Sequence, residues 1–563
     1  MSDVFFLVLR RLRAPLILLI MVYATATLVL TLIPGLDPDG NRWYMSFFHA
    51  FYFVSFMGTT IGFGEIPYPF SDAQRAWVLV CIYTSVIAWL YAIGTLLRLL
   101  QDSTFQRAIG EQNFKRLVKH IDQPFYIICG YGEAGALINK GLAQIGIQTV
   151  IIDHDEHRTN SLELENLSFA PVVLTADSTE PHNLLTAGLN HRCCGGVIAM
   201  TGDDHCNLQI AVSCKLLNPN VPVICRSHSQ DETNNMTSFG TDVVINPFLT
   251  FARRLNLLTN NSSLYRIQNW FINQHNAEHV TERQLPKGRW IICGYGRLGN
   301  AIQAELHKED IEVIVVDPDP EKTSALDGAI IGRGTEADTL HEAGILDASV
   351  IIAASDDDAN NLSVLMTAQQ INKDIYTIGR VSKESNQSLF LHAQSDYIMR
   401  GSLLVANETL TSISRPLVTK FLKYATSLTA ADTDNLIAKI LDLSDKQDPI
   451  TWRLVINQQG APAINSHLQS GLSLNIAQLC NHGDFPKSRC IPLLLQRGGV
   501  SHILPLGTHE LEVGDELLVC GNRSGLMLPQ RLRENSELID SLINHNSHHI
   551  PLIRWWSSRK LSS

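Results

Sequence analysis

Two uncharged apolar segments, residues 14–32 and 76–93, bracket the run Thr59-Thr60-Ile61-Gly62-Phe63-Gly64-Glu65, and no other feature restricts the fold so strongly. Each segment is long enough to cross the hydrocarbon core of a bilayer as a helix. Residues 44–59 between them are rich in aromatic side chains (Tyr44, Phe47, Phe48, Phe51, Tyr52, Phe53, Phe56) and too short to cross, so they predict a re-entrant helix. Irregular backbone at membrane depth survives only where protein or a wet cavity surrounds it. Glycines at 62 and 64 let successive residues take opposite-handed conformations, so that neighbouring carbonyls point the same way and can line a pore with backbone oxygen. The carbonyls of Thr60, Ile61, Gly62 and Phe63, with the Thr60 hydroxyl below them and Gly64 completing the run, are placed to replace the water shell of a dehydrated cation. One chain supplies one run and a ring of oxygens needs four, which predicts a homotetramer.

Arg10, Arg11 and Arg13 precede the first segment, and Arg98, Lys115, Arg116 and Lys119 follow the second, so both flanks are expected on the cytoplasmic side of a cell inner membrane. No arginine-repeat segment precedes the run, and voltage sensing by gating charges is not expected. Gly94 is the one glycine of the second segment and reads either as a hinge or as a site of close helix packing.

At 563 residues the chain needs several soluble domains behind the membrane part. Its 44 Lys and Arg against 55 Asp and Glu, a net charge of −11, argue against a nucleic-acid partner. Eleven cysteines without a Cys-x-x-Cys pair read as reduced thiols in a cytosolic compartment.

The soluble part uses one plan twice. Phe125-Tyr126-Ile127-Ile128-Cys129 runs into Gly130-Tyr131-Gly132-Glu133-Ala134-Gly135 and later reaches Thr149-Val150-Ile151-Ile152-Asp153. Trp290-Ile291-Ile292-Cys293 runs into Gly294-Tyr295-Gly296-Arg297-Leu298-Gly299 and reaches Val313-Ile314-Val315-Val316-Asp317, with the same interval from first glycine to acid. In a dinucleotide-binding turn the first glycine makes the tight bend, the second admits a pyrophosphate, the third lets helix and strand pack, and the acid meets ribose hydroxyls. The alternative is that the glycines serve packing alone. Thr201 to Asn207 aligns with Ser355 to Asn361, and Asp177 aligns with Arg333. Asp153 and Asp317 favour a free ribose, hence NAD or ADP/AMP over NADP, and no Gly-Lys-Ser/Thr loop suggests ATP hydrolysis. Beside the loops, Arg333 favours the terminal phosphate of ADP or AMP in the second unit. Asp177 would repel such a phosphate and leave NAD to the first. Asp153/Asp155/Glu156, Asp317/Asp319 and Asp356-Asp357-Asp358 are calcium candidates, although solvated helix starts explain most such clusters, and His545, His548 and His549 read as a surface histidine tract rather than a metal site.

The order of span, re-entrant helix, glycine run and span resembles the two-helix potassium channels, whose filter reads Thr-Val-Gly-Tyr-Gly-Asp. This chain differs at Ile61, Phe63 and Glu65; Phe63 lacks the hydroxyl with which a filter tyrosine bonds the pore helix, and Glu65 keeps an acid at the mouth. The tandem glycine-turn units resemble the regulator of potassium conductance (RCK) family, and the whole layout resembles the multi-ligand-gated prokaryotic channels with two linked RCK domains. Residues 509–521 are similar to the C-terminal lobe of RCK proteins. The resemblance implies a two-span pore domain (1–100), a gating linker (101–123), two Rossmann-like α/β domains (124–287 and 288–429), an α+β lobe (430–534) and a tail (535–563) of unassigned role. It also implies a ring of eight RCK domains per tetramer, potassium as permeant ion, regulation by nucleotide or calcium, and no enzymatic activity. Two other readings compete. One is an RCK-type regulatory component of a potassium transport system. The other is a membrane-bound NAD-dependent oxidoreductase, for which no Tyr-x-x-x-Lys pair is found.

Overall fold

A computed structural model of the chain describes residues 2–162, 169–272, 285–323, 328–443, 449–480 and 490–522. Residues 535–563, with the histidine tract and Trp555-Trp556, lie outside the described residues. The chain divides into two compact units, Met1–His120 and Ile121–Ser563.

In the first unit, α1 (Ser2–Leu32) is followed by a short antiparallel pair, β1 (Pro34–Leu36) and β2 (Arg42–Tyr44), then α2 (Phe47–Gly58), α3 (Asp72–Leu100) and α4 (Ser103–Lys119). Both apolar segments sit within longer helices, of which Arg10–Leu32 and Asp72–Leu100 have the length and apolarity to cross a membrane. The polar start of α3 is closed by a capping box: the Ser71 hydroxyl accepts from Gln74 N at 3.4 Å, and the Gln74 amide oxygen accepts from Ser71 N at 3.0 Å. The re-entrant helix is shorter than residues 44–59, because Tyr44 is taken into β2 and Ser46 caps α2 by accepting from His49 N. Ala26, Leu30, Ala50, Phe53, Phe56 and Cys81 form its small core, whereas Leu16, Ile20, Ile87 and Leu90 are exposed, the all-round apolarity of helices whose solvent is lipid. The expected linker is mostly helix α4.

Ile121–Ser563 contains two six-stranded parallel sheets of identical topology. The first comprises β3 (Phe125–Cys129), β4 (Gln148–Asp153), β5 (Val172–Thr175), β6 (Cys194–Ala199), β7 (Val223–Arg226) and β8 (Val243–Ile245), in the order β5-β4-β3-β6-β7-β8. Its helices are α5 (Glu133–Gln144), α6 (Glu156–Leu162), α7 (Pro181–Thr186), α8 (Asp204–Leu217), α9 (Gln230–Ser238), α10 (Pro247–Asn260) and α11 (Ser262–Ile272). The second comprises β9 (Arg289–Cys293), β10 (Val313–Asp317), β11 (Ile330–Ile331), β12 (Ala348–Ala353), β13 (Tyr376–Val381) and β14 (Tyr397–Arg400), in the order β11-β10-β9-β12-β13-β14. Its helices are α12 (Arg297–Leu306), α13 (Pro320–Thr323), α14 (Ala337–Glu342), α15 (Asp358–Ile371), α16 (Gln387–His392), α17 (Gly401–Ser414) and α18 (Pro416–Ala425). Strands covered on both faces must be apolar throughout, and Ile127, Ile128, Ile151, Ile291 and Ile351 are fully buried. In each sheet the strand order reverses beside the central strand, β3 or β9, whose C-terminal end carries the glycine turn. Ligands of doubly wound sheets bind in that crevice.

The two sheets exchange helices. Phe251, Ala252 and Leu255 of α10 pack with Trp290, Ile292 and Ile302 of the second unit. Val405, Ala406 and Leu410 of α17 pack with Ile128, Ile138 and Leu142 of the first. Each core is therefore completed by the other half of the chain. Helix α11 continues the interlock: Leu264, Ile267 and Phe271 join Val418 and Phe421 of α18, against the lobe. The lobe holds α19 (Ala430–Leu443), β15 (Ile450–Val455), α20 (Pro462–Gln469), α21 (Ile476–Cys480), β16 (Cys490–Arg497), β17 (Val500–Ile503) and β18 (Glu516–Gly521), with an antiparallel sheet ordered β15-β18-β16-β17. The α+β lobe matches the sequence expectation in class.

Candidate functional site

Helix α2 ends in a Schellman motif, with Thr60 N bonded to Met57 O at 3.1 Å and Ile61 N reaching back five residues to Phe56 O at 3.0 Å. Positive φ then recurs at every second residue: Thr60 at 61°, Gly62 at 68° and Gly64 at 96°. Sequence reasoning placed the left-handed residues at the two glycines and missed Thr60, a β-branched residue in a conformation that costs about 1–3 kcal/mol. A Cβ on Gly62 or Gly64 would meet nothing within 4 Å, so glycine is needed there for its dihedral angle and not for space.

The filter-side contacts replace what Phe63 lacks. Its ring packs edge-on against Phe56 of α2, with centroids 5.5 Å apart. Glu65 is not a free acid at the mouth: Arg75 of α3 grips both oxygens, Nε to Oε1 at 2.8 Å and Nη2 to Oε2 at 3.1 Å, and Phe70 N donates at 2.9 Å. The Arg75 hydrogen bond, then that of Phe70, holds the Glu65 carboxyl below its ordinary range. Arg75 escaped sequence reasoning because an arginine at a helix start reads as solvated. Below the run, the Tyr23 hydroxyl closes against Gly58, where a Cβ would collide with it, and accepts from Trp89 Nε1 at 3.0 Å. Helix α3 continues unbroken past Gly94, whose Cβ position is open, so packing within the chain does not require that glycine.

The glycine turns at β3 and β9 are built alike at their outer glycines. Gly130 (φ 95°) and Gly294 (φ 97°) cannot carry a side chain: a Cβ would press on the backbone at Met200–Thr201 or Ala354–Ser355, at about 3 Å. A Cβ on Gly135 or Gly299 would collide with the carbonyl oxygen of Gly130 or Gly294. Gly132 and Gly296 differ. Each begins a helix at ordinary φ, −81° and −70°, with no side chain capping it, and a Cβ there would meet only Arg158 at 4.0 Å in the first unit and nothing in the second. Fold geometry thus accounts for the outer glycines and leaves the middle one unexplained in both copies.

Asp153 and Asp317 are each 3 % exposed. The Asp153 carboxylate accepts from Tyr131 N at 2.5 Å and Asp155 N at 2.8 Å; that of Asp317 accepts from Tyr295 N at 2.7 Å and Asp319 N at 2.9 Å. Their first role is to fasten the glycine turn to the neighbouring strand. Across the crevice Asn207 accepts from Thr201 N and donates to Arg226 O, each at 3.0 Å, and Asn361 repeats this with Ser355 N at 3.0 Å and Arg380 O at 2.9 Å.

Asp177 and Arg333 occupy equivalent places, two residues beyond the strand positions that pair with the conserved-interval acids, Thr175 with Asp153 and Ile331 with Asp317. The Asp177 carboxylate is folded onto its own turn, accepting from Thr179 N at 2.9 Å and Thr179 Oγ1 at 2.7 Å, and these bonds lower its pKa. These neutral donors fix the direction of the carboxylate and leave its negative charge in place. Arg158, which sequence reasoning passed over, reaches the first loop, 3.9 Å from Asp153 and 3.4 Å from Asp155. The two turns also touch the exchanged helices: Ser402 of α17 donates to Glu133 at 2.9 Å, and Arg297 lies 5.3 Å from the ring centre of Phe248 in α10.

Among the described residues no group of three or more His, Cys, Asp or Glu side chains is arranged to hold a metal. The calcium candidates are otherwise engaged: Asp357 caps α15 through Asn360 N, Asp358 accepts from Ser382 N and Lys383 N, and Asp356 pairs with Arg380. The eleven cysteines are unpaired, and burial pushes Cys293 up to about 12, which suits inert core thiols.

The sequence matches the Ion channel family over residues 17–102 and the TrkA-N domain family twice, over 126–247 and 290–400. It is 27 % identical over 205 residues to Potassium channel protein 1 of Methanocaldococcus jannaschii, covering 36 % of this chain and 59 % of that protein. It is 22 % identical over 277 residues to Probable potassium channel protein 2 of the same organism, covering 48 % of this chain and 76 % of that protein. The chain thus spans somewhat over half the length of the first relative. Among solved structures, the GsuK Channel aligns over 93 % of this chain and 99 % of its own, at 16 % identity and a TM-score of 0.48.

Proposed function

We propose that this chain, an ion-channel domain joined to two TrkA-N (RCK) domains and homologous to archaeal potassium channel proteins, is a potassium-selective channel regulated by adenine nucleotides. The observation that carries the reading is the alternation of left-handed residues at Thr60, Gly62 and Gly64 directly after a re-entrant helix held between two membrane-length helices. Such alternation turns successive carbonyls toward one side, the arrangement a filter needs. Four chains would complete the oxygen ring, giving eight RCK domains on the cytoplasmic side of a cell inner membrane, with both flanks of the pore domain cytoplasmic. Gly94 serves as the gating hinge, and movement of the RCK ring reaches α3 through residues 101–123.

The open middle glycines support ligand sites at Gly130, Gly132, Gly135 and Asp153, and at Gly294, Gly296, Gly299 and Asp317, for NAD, ADP or AMP. Asp177 and Arg333 flank these sites. Calcium is a further ligand to test, although no converging set of carboxylates recommends it among the described residues. A regulatory subunit of a separate transporter would have no use for a filter of its own, and the sequence has no Tyr-x-x-x-Lys pair to serve a dehydrogenase.

Reconstituted proteoliposomes decide the matter: potassium flux should exceed sodium flux, and NAD, ADP, AMP or calcium added to the cytoplasmic face should alter it. A ligand shifts the gate only by its differential affinity for open and closed states, so an activator must bind more tightly under opening conditions. Equal potassium and sodium flux, or a monomer on sizing in detergent, refutes the channel reading.

A further inference from the structure

Both glycine turns leave the middle glycine open, and beside the first stands a guanidinium brought from another element. Arg158 of α6 brings Nη1 to 4.0 Å from where a Cβ on Gly132 would stand. Asp155 and Asp153 hold it no closer than 3.4 and 3.9 Å, and its side chain stays 50 % exposed. Asp153 already accepts two backbone N–H groups, so it binds the guanidinium only loosely. Helix α5 starts at Gly132 without a capping side chain, and an anion drawn to its first-turn N–H groups would lie between the helix end and Arg158. In the second unit the residue at the same interval from the acid is Lys322, and apart from its chain neighbours, Arg297 among them, nothing stands within 4 Å of a Cβ at Gly296.

We propose that Arg158 is a ligand-binding residue of the first unit, taking a phosphate oxygen of an adenine nucleotide seated at Gly132, so that this unit accepts mononucleotides as well as NAD. The proposal rests on the nucleotide reading above. It adds a cation to the first unit beside Asp177, whose carboxylate Thr179 holds onto its own turn. Each unit then has its own arginine, from a different element: Arg158 after β4 in the first, Arg333 after β11 in the second. A planar fork of donors suits a phosphate better than the point charge of Lys322.

The test uses the full chain in detergent with Gly296→Val, which the fold accommodates at φ −70° and which closes the second turn to a ligand. Calorimetry compares AMP with adenosine, in that background and with R158Q or R158K added. Loss of one charge-assisted contact should weaken AMP about ten- to a hundredfold in R158Q. Adenosine affinity should stay within about twofold, and R158K should fall between. Unchanged AMP affinity in R158Q, or an equal loss for adenosine, overturns this proposal alone. Absence of any AMP or adenosine binding, in this background and in the wild-type chain, overturns the nucleotide reading together with it.

Discussion

Replacing Gly132 and Gly135 by alanine, one at a time, separates a ligand site from a packing device three residues away. At Gly135 the new methyl group would overlap the Gly130 carbonyl oxygen and lie 3.3 Å from its carbon, so helix α5 must move off β3. Overpacking of that kind costs about 1–3 kcal/mol. At about 2–4 °C per kcal/mol for a domain of 150–250 residues, the melting temperature should fall by several degrees. At Gly132 the methyl group meets only Arg158, at 4.0 Å, and φ of −81° suits alanine. Two small effects oppose each other there: alanine is a poorer N-cap than glycine, by up to about 1 kcal/mol, and it stiffens the unfolded chain by about 0.4–1 kcal/mol. Stability should hardly change. The same methyl group would stand where a phosphate approaches the helix end, and losing one charge-assisted bond of about 1.5–3 kcal/mol weakens nucleotide binding ten- to a hundredfold. Differential scanning fluorimetry and calorimetry on the same preparations read both quantities. The reasoning fails if Gly132→Ala destabilises as much as Gly135→Ala, or if it binds nucleotide as the wild type does.

Gly62→Ala has room for its methyl group but would hold alanine at φ 68°, a cost of about 1–2 kcal/mol per chain, and proteoliposome flux of potassium should be lost. Glu65→Gln keeps the size of the side chain and removes the charge gripped by Arg75, so the filter exit should loosen and single-channel open time should shorten; unaltered gating in that variant would remove Glu65 from the account. Because the folded Glu65 carboxyl titrates below its ordinary range, its stabilising contribution is complete above that range and is lost as external pH falls through the lowered value; current measured from pH 7 down to pH 5 should therefore show no titration from this group. Asp153→Asn keeps an acceptor for one of the two backbone donors and turns an amide donor on the other, so a bond of about 1.5–3 kcal/mol to a charged group is forfeited and both stability and nucleotide affinity should drop, in contrast to Gly132→Ala.

The sequence alone determined what is local or repeated. Uncharged stretches of fixed length declare helices that can cross a bilayer, alternating glycines declare alternating handedness, and two glycine turns at equal intervals from an acid declare one sheet topology used twice. Each signal needs only neighbouring residues, because each reflects backbone sterics or the apolarity of a strand covered on both faces. Tertiary structure decided what depends on distant partners. It exchanged α10 and α17 between the sheets, since each helix buries its apolar face better against the other unit's core, a choice invisible in either amphipathic pattern. It turned Glu65 onto Arg75, so an acid read as a free charge became a paired one, and it folded the Asp177 carboxylate onto Thr179. It brought Arg158 to a loop from which the sequence separates it, leaving only the middle glycines unexplained by packing. That last distinction could not be read from spacing, because all three glycines of the turn look alike until the atoms a Cβ would meet are in place.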